Sequence, residues 1–156
     1  MSRKAVIEDI EFEIDEIDNE LNIFSSLLAL CEKKIPDTIE KAAIGSLLHA
    51  FYTGIEKVFS IIAKKIDQES PSKATWHKDL IISMSKSYKK RDAVISNETF
   101  TSLIEYLNFR HYFRHSYEYR LDWEMMQNMV LSINKVWDKC KYDIRRFIST
   151  VNDKRR

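Results

Sequence analysis

Residues 37–67 read DTIEKAAIGSLLHAFYTGIEKVFSIIAKKID, and within them Ile44, Leu48, Phe51, Ile55, Val58 and Ile62 recur at alternating steps of four and three. That period places all of these side chains on one face of an α-helix, whereas a half-buried strand would alternate at every second residue. A helix is therefore predicted from about Asp37 to Asp67. Gly45 and Gly54, the only glycines in the chain, both fall inside it. An interior glycine costs a helix about 1 kcal/mol relative to alanine, so in a chain this poor in glycine the two positions mark close approach by a neighbouring backbone. The helix is expected at the centre of the fold.

Upstream, Ile7, Ile10, Ile14, Ile17, Leu21, Phe24, Leu28 and Cys31 keep the same rhythm and predict one long amphipathic helix, which Pro36 stops or follows. Downstream, Ser70-Pro71-Ser72 makes a loop. Trp76, Leu80, Ile81, Met84 and Tyr88 then predict a shorter third helix that ends in the basic run Lys89-Lys90-Arg91. A fourth helix is capped by Ser96 or Asn97, with Glu98 in its first turn and Phe100, Leu103, Ile104 and Leu107 facing inward. Asp122 caps a fifth, whose stripe is Met126, Val130, Ile133, Trp137, Cys140, Ile144, Phe147 and Val151. No alternating strand pattern competes. Five helices with short connections predict an all-α, up-and-down bundle. The long first and fifth stripes are expected to leave apolar surface for a second copy, making a homodimer.

With 156 residues and 44% hydrophobic content, a single soluble domain spanning 1–156 is expected. No stretch approaches about 18 consecutive apolar residues, and the N-terminus turns acidic rather than apolar, so neither a membrane span nor a secretory signal is expected. Cys31 and Cys140 lie far apart and outside any Cys-x-x-Cys pair, which argues for reduced, buried thiols in a cytoplasmic protein rather than a zinc ribbon or a redox motif. The net charge of +1 conceals an asymmetry: residues 1–20 carry eight acids against two bases, and residues 135–156 carry eight bases against three acids. Two readings fit. The acidic and basic helix faces attract each other within the fold, or the basic surface gathers RNA while the acidic one docks a partner.

Phe109-Arg110-His111-Tyr112-Phe113-Arg114-His115-Ser116-Tyr117 stands at the predicted end of the fourth helix. Arginine clamps phosphate through paired N–H donors, histidine moves a proton near neutral pH, and a tyrosine hydroxyl serves as a hydrogen-bond partner or a modification site. These are the minimal parts of a ribonuclease. On a regular helix, residues five apart are separated by about 140°, so Arg110 and His115 converge only if the helix frays or turns, or if two copies meet. Without context, the same residues describe a surface arginine and a half-buried histidine held by hydrogen bonds. His111 and His115 also form an i, i+4 pair with Glu118 following, but nothing else in the chain completes a zinc site, and no metal is expected.

The order Arg110, four residues, His115, one residue, Tyr117, with polar His111 directly after the arginine, resembles the signature of the HEPN superfamily. With its trailing tyrosine it is similar to the HepT-like ribonuclease toxins. Phe51-Tyr52-Thr53-Gly54-Ile55-Glu56, Trp76-His77 and Leu121-Asp122-Trp123-Glu124 look like the same branch, so the likeness spans roughly residues 40–135. The resemblance implies a helical bundle with its motif at a dimer interface and metal-independent, cofactor-free cleavage of tRNA or mRNA. In that reaction the ribose 2′-hydroxyl attacks the adjacent phosphate and the 5′-oxygen leaves. Arg110 would bind the phosphate and stabilise developing charge, and His115 would transfer a proton.

His111 would orient Arg110 or contact RNA, and Arg114 would add a phosphate contact, with packing or solvent exposure equally open for both. Tyr117 matches the tyrosine to which a nucleotidyltransferase antitoxin of the MntA type attaches AMP, adding charge and bulk beside Arg110 and His115. Tyr112 and Tyr119 lack that match and read as structural. Tyr52 and Glu56 read as a hydrogen-bonded core pair or as support for the motif, and Trp76 and Trp137 as core. Trp123 reads as core or as a base-stacking surface. The expected partners are RNA, the antitoxin and a second copy of the chain. A catalytically silent helical partner of a nucleotidyltransferase is the competing reading, and a metal-dependent hydrolase is the third.

Overall fold

The computed structural model describes residues 2–70 and 72–153, so Pro71 of the expected loop and Lys154, Arg155 and Arg156 of the basic end lie outside the described residues. The described residues form α1 (Arg3–Ile23), α2 (Ser25–Cys31), α3 (Thr38–Lys65), α4 (Trp76–Met84), α5 (Asn97–His115), a 3-10 turn (Glu118–Arg120) and α6 (Trp123–Asp153), with no strand among them. The all-α bundle is as expected, but with six helices rather than five.

The additional helix comes from a break at Phe24, where φ is −89° and ψ is 5°. Hydrogen bonds from the Phe24 N–H to the Glu20 oxygen (3.2 Å) and from the Leu28 N–H to the Phe24 oxygen (3.0 Å) bridge the break. The apolar stripe therefore passes through it unbroken, which is why the spacing reads as one helix.

At the centre lies α3, packed against α1, α4, α5, α6 and the 3-10 turn. Asp37 and Glu40 start it with a reciprocal capping box, each side chain accepting the other's backbone N–H at 2.8 Å. Its stripe of Ile44, Leu48, Phe51, Ile55, Val58 and Ile62 is at most 1% exposed. The glycines admit side chains rather than a backbone. A Cβ at Gly54 would lie 2.7 Å from Ile17 Cγ1, and one at Gly45 would lie 2.7 Å from Leu121 Cδ1 and 3.0 Å from Phe113 Cε2.

The third expected helix is shorter than its pattern suggested. It ends at Met84, and Arg91 turns inward instead of closing a basic surface run. Arg91 Nε and Nη2 donate to the two carboxylate oxygens of buried Asp67 at 2.6 and 2.9 Å, and the guanidinium also donates to the carbonyls of Ser83, Lys86 and Asp92. A buried carboxylate requires a paired charge and filled hydrogen bonds, and this inward turn supplies both.

At the start of α5, Ser96 Oγ accepts the Thr99 N–H, and Asp143 of α6 holds the turn from the other side. Fully buried Asp143 accepts from the Ser96 N–H (3.0 Å), Ser96 Oγ (3.1 Å) and Thr99 Oγ1 (2.6 Å). Burial works against its charge, but these bonds and Lys139 outweigh that and keep the carboxyl below the usual carboxylate range. The inner face of α5 is broader than expected: Thr99, Leu103, Tyr106 and Phe109 are buried, with Phe100, Ile104 and Leu107 only partly so.

The Glu124 N–H bonds to Asp122 Oδ1 at 3.0 Å at the start of α6. Acidic α1 and basic α6 meet through Trp137 Nε1 to Asp18 (2.6 Å), Lys141 to Asp18 (2.9 Å) and Arg145 to Glu11 (3.3 Å). The reading of mutually attracting helix faces thus has direct contacts behind it. Most of the two long stripes is buried within the chain, while exposed Phe12 and Ile23 of α1 and Leu131 and Tyr142 of α6 lie off them. Cys31 and Cys140 are buried free thiols, and no helix of the described residues is long and apolar enough to cross a membrane.

Candidate active site

Two aromatic residues anchor the last turns of α5. Phe109 is 2% exposed and stacks on Phe113 at 5.8 Å, and Phe113 packs over Gly45 of α3. Beyond the helix, buried Leu121 returns to the same glycine, so Ser116 to Arg120 form a short strap held at both ends. Arg114 and His115 occupy the final turn, where the negative end of the helix dipole favours cationic side chains.

The helix remains regular through His115 and stops at Ser116, whose backbone is extended at φ −114° and ψ 150°. Neither fraying nor a turn brings Arg110 and His115 together, so the separation of about 140° expected of a regular helix holds within one chain. Arg110 is half-buried, whereas His111, Arg114 and His115 are exposed. His111 and His115 pair on the outer side with ring centroids 4.5 Å apart. Among the described residues no group of three or more His, Cys, Asp and Glu side chains is placed to hold a metal ion.

Beside Arg110 lies a histidine from a different helix that the motif does not include. His49 of α3 is partly buried, with its ring centroid 5.3 Å from that of Phe113. Burial and the positive charges of Arg110 and Arg114 lower its pKa below the ordinary 6.5, with Glu56 opposing them. His49, Tyr52 and Glu56 are spaced three and four apart and share a side of α3, a spacing that groups them but does not say which helix they face.

The expected Tyr52–Glu56 hydrogen bond is not made. Glu56 instead meets His77 Nδ1 at 2.8 Å, and the His77 ring lies against Trp76 at 3.7 Å. The Tyr52 hydroxyl is buried and has no hydrogen-bond partner among the described residues. Burial and nearby Glu56 raise its pKa, and Arg110 pulls the other way. Tyr117 is 72% exposed and stacks on Tyr119 at 5.8 Å, with its ring outside the core. Tyr112 donates to the Arg120 oxygen, while Trp76 and Trp123 are partly buried and Trp137 is core.

The sequence model of a family described as HepT-like protein matches residues 43–151, well over half of the chain. The chain belongs to the HepT-like family. As a HepT-like member of the HEPN superfamily it carries Arg110, His115 and Tyr117 inside the matched span. That span begins within α3 and runs through nearly all of α6, further than the likeness legible in the motifs, while α1 and α2 precede it. No curated protein and no solved structure matches the chain.

Proposed function

We propose that this HepT-like protein is a metal-independent endoribonuclease, the toxin of a toxin–antitoxin pair, acting as a homodimer. The observation that carries the reading is the outward display of the motif: exposed Arg114 and His115, half-buried Arg110 and 72% exposed Tyr117 on one helix end and its strap. The alternative of a half-buried His115 held by hydrogen bonds does not apply, since His115 is exposed. Within one chain Arg110 and His115 diverge, so the complete site needs His115 of a second copy opposite Arg110.

There the guanidinium grips the scissile phosphate and stabilises charge on the transition state, the 2′-hydroxyl attacks phosphorus, and His115 serves proton transfer. His111 packs on His115 and orients it, and Arg114 contacts the neighbouring phosphate. Exposed Tyr117 is open to AMP transfer by a nucleotidyltransferase antitoxin, and the added phosphate would compete with RNA for the arginines.

The test is cleavage of a mixed tRNA and mRNA pool by purified protein in chelator. Arg110→Ala and His115→Ala are each expected to lower the rate by about 10²-fold or more while preserving the helical signal. If unmodified wild-type protein leaves the RNA intact, the chain is instead a silent binding subunit for a nucleotidyltransferase. Activity that disappears with chelator would point to a metal-dependent hydrolase.

A further inference from the structure

We propose that His49 is a second catalytic residue of this site, accepting the proton of the ribose 2′-hydroxyl next to the phosphate held by Arg110. The proposal rests on the ribonuclease reading and adds a residue from a different helix to it.

Three observations converge on His49. Its position is fixed, because the ring packs on Phe113, which lies between Arg110 and Arg114 along α5. Its ring nitrogens are uncommitted: among the described residues His49 makes no hydrogen bond, whereas His77, one helix away, is held by Glu56. Neither nitrogen is among the buried unpartnered atoms, so the polar edge of the ring is open to solvent and to a ligand. Its surroundings are those of an anion site, with two arginines near the imidazole and the unpartnered Tyr52 hydroxyl one turn away on the same helix. Of these donors only the Tyr52 hydroxyl is buried, and the cost of leaving it unpaired falls on that group alone.

The ionisation suits a base. The groups acting on His49 are Arg110 and Arg114 from α5 and Glu56 from its own helix, and burial together with the arginines favours the neutral ring. A neutral imidazole near pH 7 can accept a proton, whereas an imidazolium cannot.

The step balances with two histidines. The 2′-oxygen–hydrogen bond breaks and its proton moves to His49, while the 2′-oxygen bonds to phosphorus. The phosphorus–5′-oxygen bond breaks, and the 5′-oxygen takes a proton from the imidazolium of His115 of the second copy. The products are a 2′,3′-cyclic phosphate and a 5′-hydroxyl, and exchange with water returns both rings to their starting states. Arg110 remains charged throughout and neutralises the phosphorane.

The experiment is the pH–rate profile of RNA cleavage by wild type, His49→Phe, which keeps a ring on Phe113, and His49→Gln. We expect both variants to lose about 10²-fold in kcat with little change in KM, and to lose the acidic limb of the profile. In wild-type protein, the His49 imidazole titration followed by NMR should coincide with that limb. Cleavage within about threefold of wild type in either variant, or a retained acidic limb, overturns the assignment. If both variants fail to fold, a mismatch between the wild-type titration and the limb overturns it equally. Wild-type protein that cuts no RNA defeats the ribonuclease reading itself, whereas full activity without His49 defeats only the role given to His49.

Discussion

A single methyl group at Gly54 tests how tightly the bundle is closed. It would stand 2.7 Å from Ile17 Cγ1, an atom near the root of a branched side chain that cannot swing aside. Alanine gains about 1 kcal/mol in helix propensity, but overpacking costs about 1–3 kcal/mol, so Gly54→Ala is expected to destabilise the fold by roughly 1 kcal/mol net. In an Ile17→Ala background the steric conflict disappears and the same change should stabilise, a reversal that a denaturation double-mutant cycle would display. The scarcity of glycine revealed that something approaches closely, but the expected backbone is replaced by side chains at both positions. His49 was hidden for a related reason. Its partners Phe113, Arg110 and Arg114 come from α5, and local spacing carries no information about which helix lies opposite.

Elements were legible where their signals are local. The helix start near Asp37 and the Asp122 cap are each written within a few residues and form as read, and of the two caps open for α5 it is Ser96 that forms. Elements were misread where tertiary demands intervene. The Phe24 break leaves the stripe in phase, and buried Asp67 draws Arg91 out of a run that looks like surface. Asp143 is the tertiary clamp on α5, since it binds Ser96 and Thr99 from across the interface. Asp143→Asn is expected to cost about 2–3 kcal/mol at neutral pH, by removing the charge to which Ser96, Thr99 and Lys139 donate. Because the folded pKa of Asp143 is depressed, its contribution is complete above the unfolded carboxylate value of about 3.9 and fades as pH falls through the folded value. Urea unfolding should therefore show the gap between wild type and variant widest near pH 7 and closing in acid. A constant gap across that range would mean that the carboxylate charge is not what clamps the helix.

For the molecule as a whole, the divergence of Arg110 and His115 makes association part of the proposed chemistry. If the site is shared between copies, inactive Arg110→Ala and inactive His115→Ala proteins should restore activity when mixed and allowed to exchange. Half of the resulting dimers are mixed and each holds one intact site of two, so about a quarter of wild-type cleavage should return, whereas a site within one chain would recover none. The same fold has a practical consequence in its sulfur atoms. Cys140 is fully enclosed and Cys31 is 6% exposed, and burial raises the pKa of each, so reagents that seek a thiolate meet almost no native target. A cysteine introduced in place of exposed Tyr117 would then take up a fluorophore or spin label against a nearly silent background. The strap beside the motif could be watched alone, in the intact protein and without first removing its own cysteines.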